Sequence, residues 1–164
     1  MTDAAIASPA AAPALSRPVV ARWLALLVPA SLLGGALGSQ YLGGLYPCEM
    51  CYWQRWPHGA AIVLAALAFL VPDRARTLTL LAAAAIAVSG AIGVYHALVE
   101  LGVLEGLTTC TTSGGSLADI LSAPLVRCDQ IQFAFLGISM AGWNALLSLG
   151  SAIVISWLVW SNRK

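Results

Sequence analysis

The sequence predicts an all-α membrane protein: a four-transmembrane-helix bundle, up-down-up-down, with a short amphipathic helix on the membrane surface. Three observations carry this. Of 164 residues, 60% are hydrophobic and only 9% are charged, whereas soluble domains hold about 25% charged and 45–50% apolar residues. Four apolar stretches approach the ~20 residues needed to cross a bilayer. The basic residues fall unevenly on the segments that join them. A net charge of +1 gives no case for nucleic-acid binding.

Residues 1–18 are Ala/Pro-rich without periodicity and read as a disordered tail. The first span covers about 23–41. Gly34 and Gly38 form a small-xxx-small pair expected to admit a neighbouring helix. Ala36-Leu37-Gly38 resembles a signal-peptidase site, but the apolar stretch is longer than a usual signal sequence, so a retained span is expected. The second span covers about 53–71, and Pro72-Asp73-Arg74-Ala75-Arg76 turns the chain into a third at about 78–99. In the loop that follows, Ser116-Leu117-Ala118-Asp119 has capping-box-like spacing, and Leu117, Ile120 and Leu121 share a helical face. This predicts the short interfacial helix. The fourth span covers about 133–160. Trp23, Trp53, Trp56, Trp157 and Trp160 sit near span ends, where indole rings favour the interface.

Orientation follows from the positive-inside rule. With both termini cytoplasmic, the inner segments hold Arg17, Arg22, Arg74, Arg76, Arg163 and Lys164, and the outer ones only Arg55 and Arg127. The domain plan is thus a cytoplasmic tail (1–18) and a transmembrane unit (19–164).

All four cysteines then fall on the outer face: Cys48 and Cys51 in the first loop, Cys110 and Cys128 in the second. That side is oxidising in a bacterial or secretory setting. Three readings compete. Structural disulfides explain Cys110 and Cys128, which enclose 17 residues, but a bridge from Cys48 to Cys51 constrains almost nothing in the unfolded chain. A zinc site usually shows paired C-x-x-C units, and the second pair is too widely spread; no metal is expected. Redox catalysis fits best, because C-x-x-C lowers a thiolate pKa and lets one sulfur resolve a bond made by the other.

Arg55 lies one helical turn after Cys51, so its fixed positive charge would favour the thiolate. His96 closes the third span on the same face, with Glu100 a turn further on. Covalent c-type haem is excluded because Tyr52, not histidine, follows Cys51; b-type ligation by His58 and His96 ranks well below the redox reading.

The residues from Pro47 to Arg55, Pro-Cys-Glu-Met-Cys-Tyr-Trp-Gln-Arg, resemble the C-x-x-C-x-x-x-R signature of the disulfide bond formation protein B (DsbB) family. Tyr95-His96, Gly106-Leu107-Thr108-Thr109-Cys110, Cys128-Asp129, Phe135-Leu136-Gly137 and Gly142-Trp143-Asn144 are similar to further family segments, in order, over about residues 20–160. Met50 stands where the family often has leucine, and the stretch from Cys110 to Cys128 is shorter than in some members. The resemblance implies a protein-dithiol:quinone oxidoreductase of the bacterial inner membrane that reoxidises a periplasmic thioredoxin-fold partner, DsbA-like. Ubiquinone is expected ahead of menaquinone. By position, Cys110 of a Cys110–Cys128 disulfide receives the partner's thiolate. Cys128 attacks Cys48, and Cys51 leaves as the thiolate that passes electrons to quinone. Arg55 and His96 are the implied quinone-binding residues. The alternatives are a vitamin K epoxide reductase-like thiol oxidase, in which the C-x-x-C follows the loop pair, or a non-enzymatic membrane subunit with structural disulfides.

Overall fold

The computed structural model describes residues 16–106 and 126–161. Cys110, the expected interfacial helix and most of the expected tail lie outside the described residues. Four long helices dominate: α1 (Arg17–Tyr41), α2 (Glu49–Leu70), α3 (Ala75–Glu100) and α4 (Met140–Trp160). A 3₁₀ turn (Pro72–Arg74) joins α2 to α3, and a two-stranded ribbon, β1 (Ala134–Phe135) and β2 (Ile138–Ser139), leads into α4.

Two expected boundaries are corrected. The tail was expected to run to residue 18, yet α1 already begins at Arg17, with Pro18 in its first turn; a proline there removes only an N–H that has no helical acceptor. The fourth span was expected from 133, but its first seven residues are not helical. Ala134 pairs with Ser139 and Phe135 with Ile138, around Leu136 (φ 53°) and Gly137 (φ 79°). That double positive φ is the signature of a tight hairpin turn, and Ser139 then caps α4 by accepting from the Gly142 amide at 3.1 Å.

Among the described residues, three helical segments are long and apolar enough to cross a membrane: Arg17–Tyr41, Pro72–Glu100 and Met140–Trp160. Helix α2 has 22 residues, about 33 Å at 1.5 Å per residue. Its first half carries Glu49, Gln54, Arg55 and His58, which lowers its hydropathy without shortening it.

The helices pack in a ring: α1 on α2, α2 on α3, α3 on α4, and α4 back on α1, with α1 and α3 touching only slightly across it. The buried apolar cluster is built largely of small residues, Ala21, Ala25, Ala61, Ala65, Ala82, Ala83 and Ala152, with Ile86, Ile155 and Val159. Large apolar side chains instead face outward, among them Leu27, Val63, Leu81, Val88, Ile153 and Trp157. A water-soluble bundle buries its large side chains; small inside and large outside is how helices associate in lipid.

The expected close approach at Gly34 and Gly38 is not where helices meet, because a Cβ at either position meets nothing within 4 Å. The glycines that matter are on α3. A Cβ on Gly90 meets Leu149 Cγ at 2.9 Å, and one on Gly93 meets the Ala141 carbonyl oxygen and Asn144 Nδ2, both at 3.0 Å. The α3–α4 seam therefore closes on these two glycines.

Candidate active site

Cys48 is the N-cap of α2, with its sulfur accepting from the Cys51 amide at 3.3 Å. The i, i+3 spacing folds the second sulfur back over the first, and the two lie 2.8 Å apart. Both precede the apolar part of α2. Two sulfurs this close and poorly hydrated cannot both hold a negative charge, so they titrate as a pair. The Cys51 thiol is drawn below its ordinary range, chiefly by the hydrogen bond from the Cys48 thiol and less by the Arg55 charge, with burial opposing. Donating that hydrogen bond, together with burial, pushes the Cys48 thiol up. Cys51 is the sulfur that ionises first.

Cys128, brought in by the returning second loop, is buried with Cys48, Met50 and Val99. One ligand atom each from Cys48, His96 and Cys128 lies within 4.8 Å of the others. The structure thus sets Cys48 beside two other sulfurs; Cys110 lies outside the described residues. Beside Cys128, Arg127 donates from Nε to Asp129 Oδ1 at 2.9 Å and pairs with Oδ2 as well, which holds the exposed Asp129 carboxyl below the usual range.

Two backbone carbonyls orient a polar network behind the sulfurs. Gln54 Nε2 donates to the Met50 carbonyl at 3.1 Å. A carbonyl only accepts, so this edge of Gln54 is its amide nitrogen. The same nitrogen faces His96 Nδ1 at 2.8 Å, which must accept. His96 therefore carries its proton on Nε2, 3.6 Å from Cys48 Sγ and 3.8 Å from Glu100 Oε1. The Cys48–His96–Cys128 cluster has the proximity of a metal triad, but metal on Nε2 calls for a proton on Nδ1. Gln54 already presents an N–H there, so the donor set is a poor metal site.

The second pin is the Ser89 carbonyl, which accepts from Asn144 Nδ2 at 3.1 Å. Asn144 Nδ2 also donates to Gln54 Oε1 at 2.8 Å. Its oxygen then faces His58 Nε2 at 2.8 Å and accepts from Ser148 at 2.9 Å. His58 Nε2 is therefore the protonated nitrogen, and Nδ1 is left without a partner among the described residues. Ser89 supports the arrangement, donating to the Gln54 carbonyl at 2.8 Å and lying 3.0 Å from His58 Nε2.

Arg55 leans away from the network onto α1. It donates to Gln40 Oε1 and, at 3.1 Å, to the Ala36 carbonyl, and stacks 5.2 Å from the centre of the Tyr52 ring. Its Nε is buried without a partner among the described residues. Arg55, His58, His96 and both cysteines of the C-x-x-C line one cavity of about 670 Å³, walled by α1 residues such as Leu32 and Ala36 and by Met140 and Trp143. That volume and the mostly apolar wall suit a small-molecule ligand.

The sequence reading placed Cys48, Cys51, Arg55 and His96 at this site, and they meet there. It assigned no part to Gln54, Ser89, Asn144 or Ser148, and considered His58 only for haem. The available signal was chemical: polar side chains at membrane depth are expensive and tend to be functional.

A family model described as "Disulfide bond formation protein DsbB" matches residues 18–158. Disulfide bond formation protein B of Neisseria meningitidis serogroup C / serotype 2a is 27% identical over 157 residues, covering 87% of this chain and 94% of that protein. Disulfide bond formation protein B of Azoarcus sp. (strain BH72) is 30% identical over 151 residues, covering 82% and 87%. "Uncharacterized protein RP370" of Rickettsia prowazekii is 26% identical over 126 residues, covering 71% and 73%. No solved structure matches the chain.

Proposed function

The chain belongs to the DsbB family of membrane disulfide bond formation proteins, and from that premise we propose that it is a protein-dithiol:quinone oxidoreductase. It reoxidises a periplasmic DsbA-like thioredoxin-fold protein and passes the electrons to membrane quinone, ubiquinone ahead of menaquinone. Four spans run up-down-up-down with both termini cytoplasmic and the cysteine loops periplasmic. The alanine-rich cluster supports the alternation, drawing on the first halves of α1 and α3 and the second halves of α2 and α4; the basic residues of the inner segments support the orientation.

The observation that carries the reading is the position of Cys48, with Cys51 Sγ at 2.8 Å and Cys128 Sγ within 4.8 Å. A partner thiolate attacks Cys110 of a Cys110–Cys128 disulfide and releases Cys128 as a thiolate. Cys128 attacks Cys48 of the Cys48–Cys51 disulfide; the new bond forms as Cys51 leaves with the electron pair. Cys51 is the better leaving group because its thiol is the more acidic of the two. His96 Nε2–H lies 3.6 Å from Cys48 Sγ and lines the same cavity, so it borders both the sulfur that Cys128 attacks and the space for the acceptor.

Quinone supplies the oxidising power, two carbonyl oxygens that take up two electrons and two protons. The residues fit such an acceptor. Arg55 Nε–H is a buried donor with no partner among the described residues, a condition that costs about 1–3 kcal/mol until an oxygen satisfies it. It lines the same cavity as Cys51.

Thiol trapping of the Cys51→Ala variant, in membranes supplied with reduced partner, tests the relay. The expected result is a partner adduct through Cys110 together with complete loss of quinone reduction. If the partner stays unlinked and reduced, the reading fails.

A further inference from the structure

The reading above explains both cysteine pairs, Arg55 and His96, but leaves two buried atoms of the cavity lining unused, Glu100 Oε2 at the end of α3 and His58 Nδ1 on α2. His58 Nδ1 has no hydrogen-bond partner among the described residues, although the residue is 3% exposed. The other ring nitrogen is fully engaged. The Ser89 carbonyl orients Asn144, Asn144 Oδ1 takes the His58 Nε2 proton, and Ser89 Oγ stands beside it. The result is an imidazole of fixed tautomer and orientation whose bare nitrogen is a base. His58 lines the same cavity as Cys51 and Arg55 and lies one turn from Arg55 on α2, hence on the same face. An orphan donor, Arg55 Nε–H, and an orphan base, His58 Nδ1, thus border one ligand space. A quinone offers only acceptors, whereas the reduced ligand offers O–H groups. A base has nothing to bind in the oxidised ligand and a proton to exchange with the reduced one.

We infer that His58 is the proton carrier to the quinone: its Nδ1 takes up a proton released by the dithiol and delivers it to a quinone oxygen facing α2. The inference rests on the quinone-reductase reading. Forming the Cys48–Cys51 disulfide releases two electrons and two protons, and converting both quinone carbonyls to hydroxyls consumes two of each. His58 accepts one proton and gives it up again, ending neutral as it began. No further reductant or acid enters the balance.

The test uses full-length protein in detergent with a reduced thioredoxin-fold partner and a water-soluble short-chain ubiquinone. His58→Gln keeps an N–H near the Nε2 position, facing Asn144, and removes the Nδ1 base. Quinone-reduction kcat is expected to fall by a factor of about 10²–10⁴, the usual contribution of a positioned acid–base group. The quinone KM stays within about threefold, and single-turnover disulfide exchange with the partner, without quinone, is unchanged. A kcat within about twofold of wild type overturns the inference. So does an equal fall in quinone-free exchange, which marks a structural role. Wild-type protein that exchanges disulfides but reduces no quinone overturns the parent reading and this one together. Should the glutamine variant fail to fold, His58→Ala supplied with free imidazole replaces it. Rate restored by imidazole supports the inference, and a folded variant indifferent to imidazole overturns it.

Discussion

At one end of the bundle, Ala21, Ala25, Ala61, Ala65, Ala82 and Ala152 bring four helices together mostly with small apolar side chains, around Ile86, Ile155 and Val159. At the other, Gln54, His58, Ser89, His96 and Asn144 join α2, α3 and α4 through polar atoms. The alanine end gains closeness and tolerates side-to-side adjustment, since dispersion is not directional. The polar end holds its amides and imidazoles to single orientations, because each wrong flip strands a buried donor or acceptor. The candidate site lies where orientation is fixed. The price is a few atoms, Arg55 Nε and His58 Nδ1 among them, that the described residues leave unsatisfied.

The largest way to break this contrast is Asn144→Leu. It strands partners on His58, Gln54 and Ser148 at about 1–3 kcal/mol each, and a loss of about 4 kcal/mol is expected in detergent-based unfolding. An Ala152→Gly change at the other end is expected to stay within about 1 kcal/mol, near the helix-propensity difference alone. Next comes Gly93→Ala. Its Cβ meets the Ala141 carbonyl oxygen and Asn144 Nδ2 at 3.0 Å, so overpacking of about 1–3 kcal/mol follows. Gly34→Ala, with nothing within 4 Å, is expected to be neutral or slightly stabilising in the same assay.

The cysteine pair sharpens the comparison through pH. The hydrogen bond from Cys48 is the main cause of the lowered Cys51 pKa, with Arg55 a lesser one. A lowered pKa means thiolate persists to lower pH. Cys48→Ala therefore moves the pH profile of Cys51 alkylation upward, and Arg55→Gln moves it upward by less; mass spectrometry of alkylated protein reads both. No upward shift in Cys48→Ala would show that the sulfurs titrate independently. A modest effect belongs to the hairpin: Leu136 sits at φ 53°, where Asn is better tolerated, so Leu136→Asn gains about 1 kcal/mol in the same unfolding assay.

Much of this was readable from residue order. Apolar runs located all four helices, and C-x-x-C followed by Arg55 pointed to residues that line one cavity. The hairpin at 134–139 stayed hidden because its residues are as apolar as a span and its turn is Leu136-Gly137 rather than Asn-Gly. The glycine reading failed on α1 because a small residue permits close contact without saying that a neighbour uses it. The polar network was illegible for another reason: His58 and Asn144 are 86 residues apart, and only the packed ring brings them together. Likewise, nothing in the spacing of Cys48 and Cys128 announces that they meet.

Cys48 is also the cap of α2, its sulfur taking the Cys51 amide proton. The same sulfur lies within 4.8 Å of Cys128, so a bond between Cys48 and Cys128, as the proposed relay requires, would form at the residue that caps the first turn of the helix. On that proposal the hydrogen–deuterium exchange rate of the Cys51 amide is expected to change with the bonding of Cys48, and so to report the redox state from the backbone.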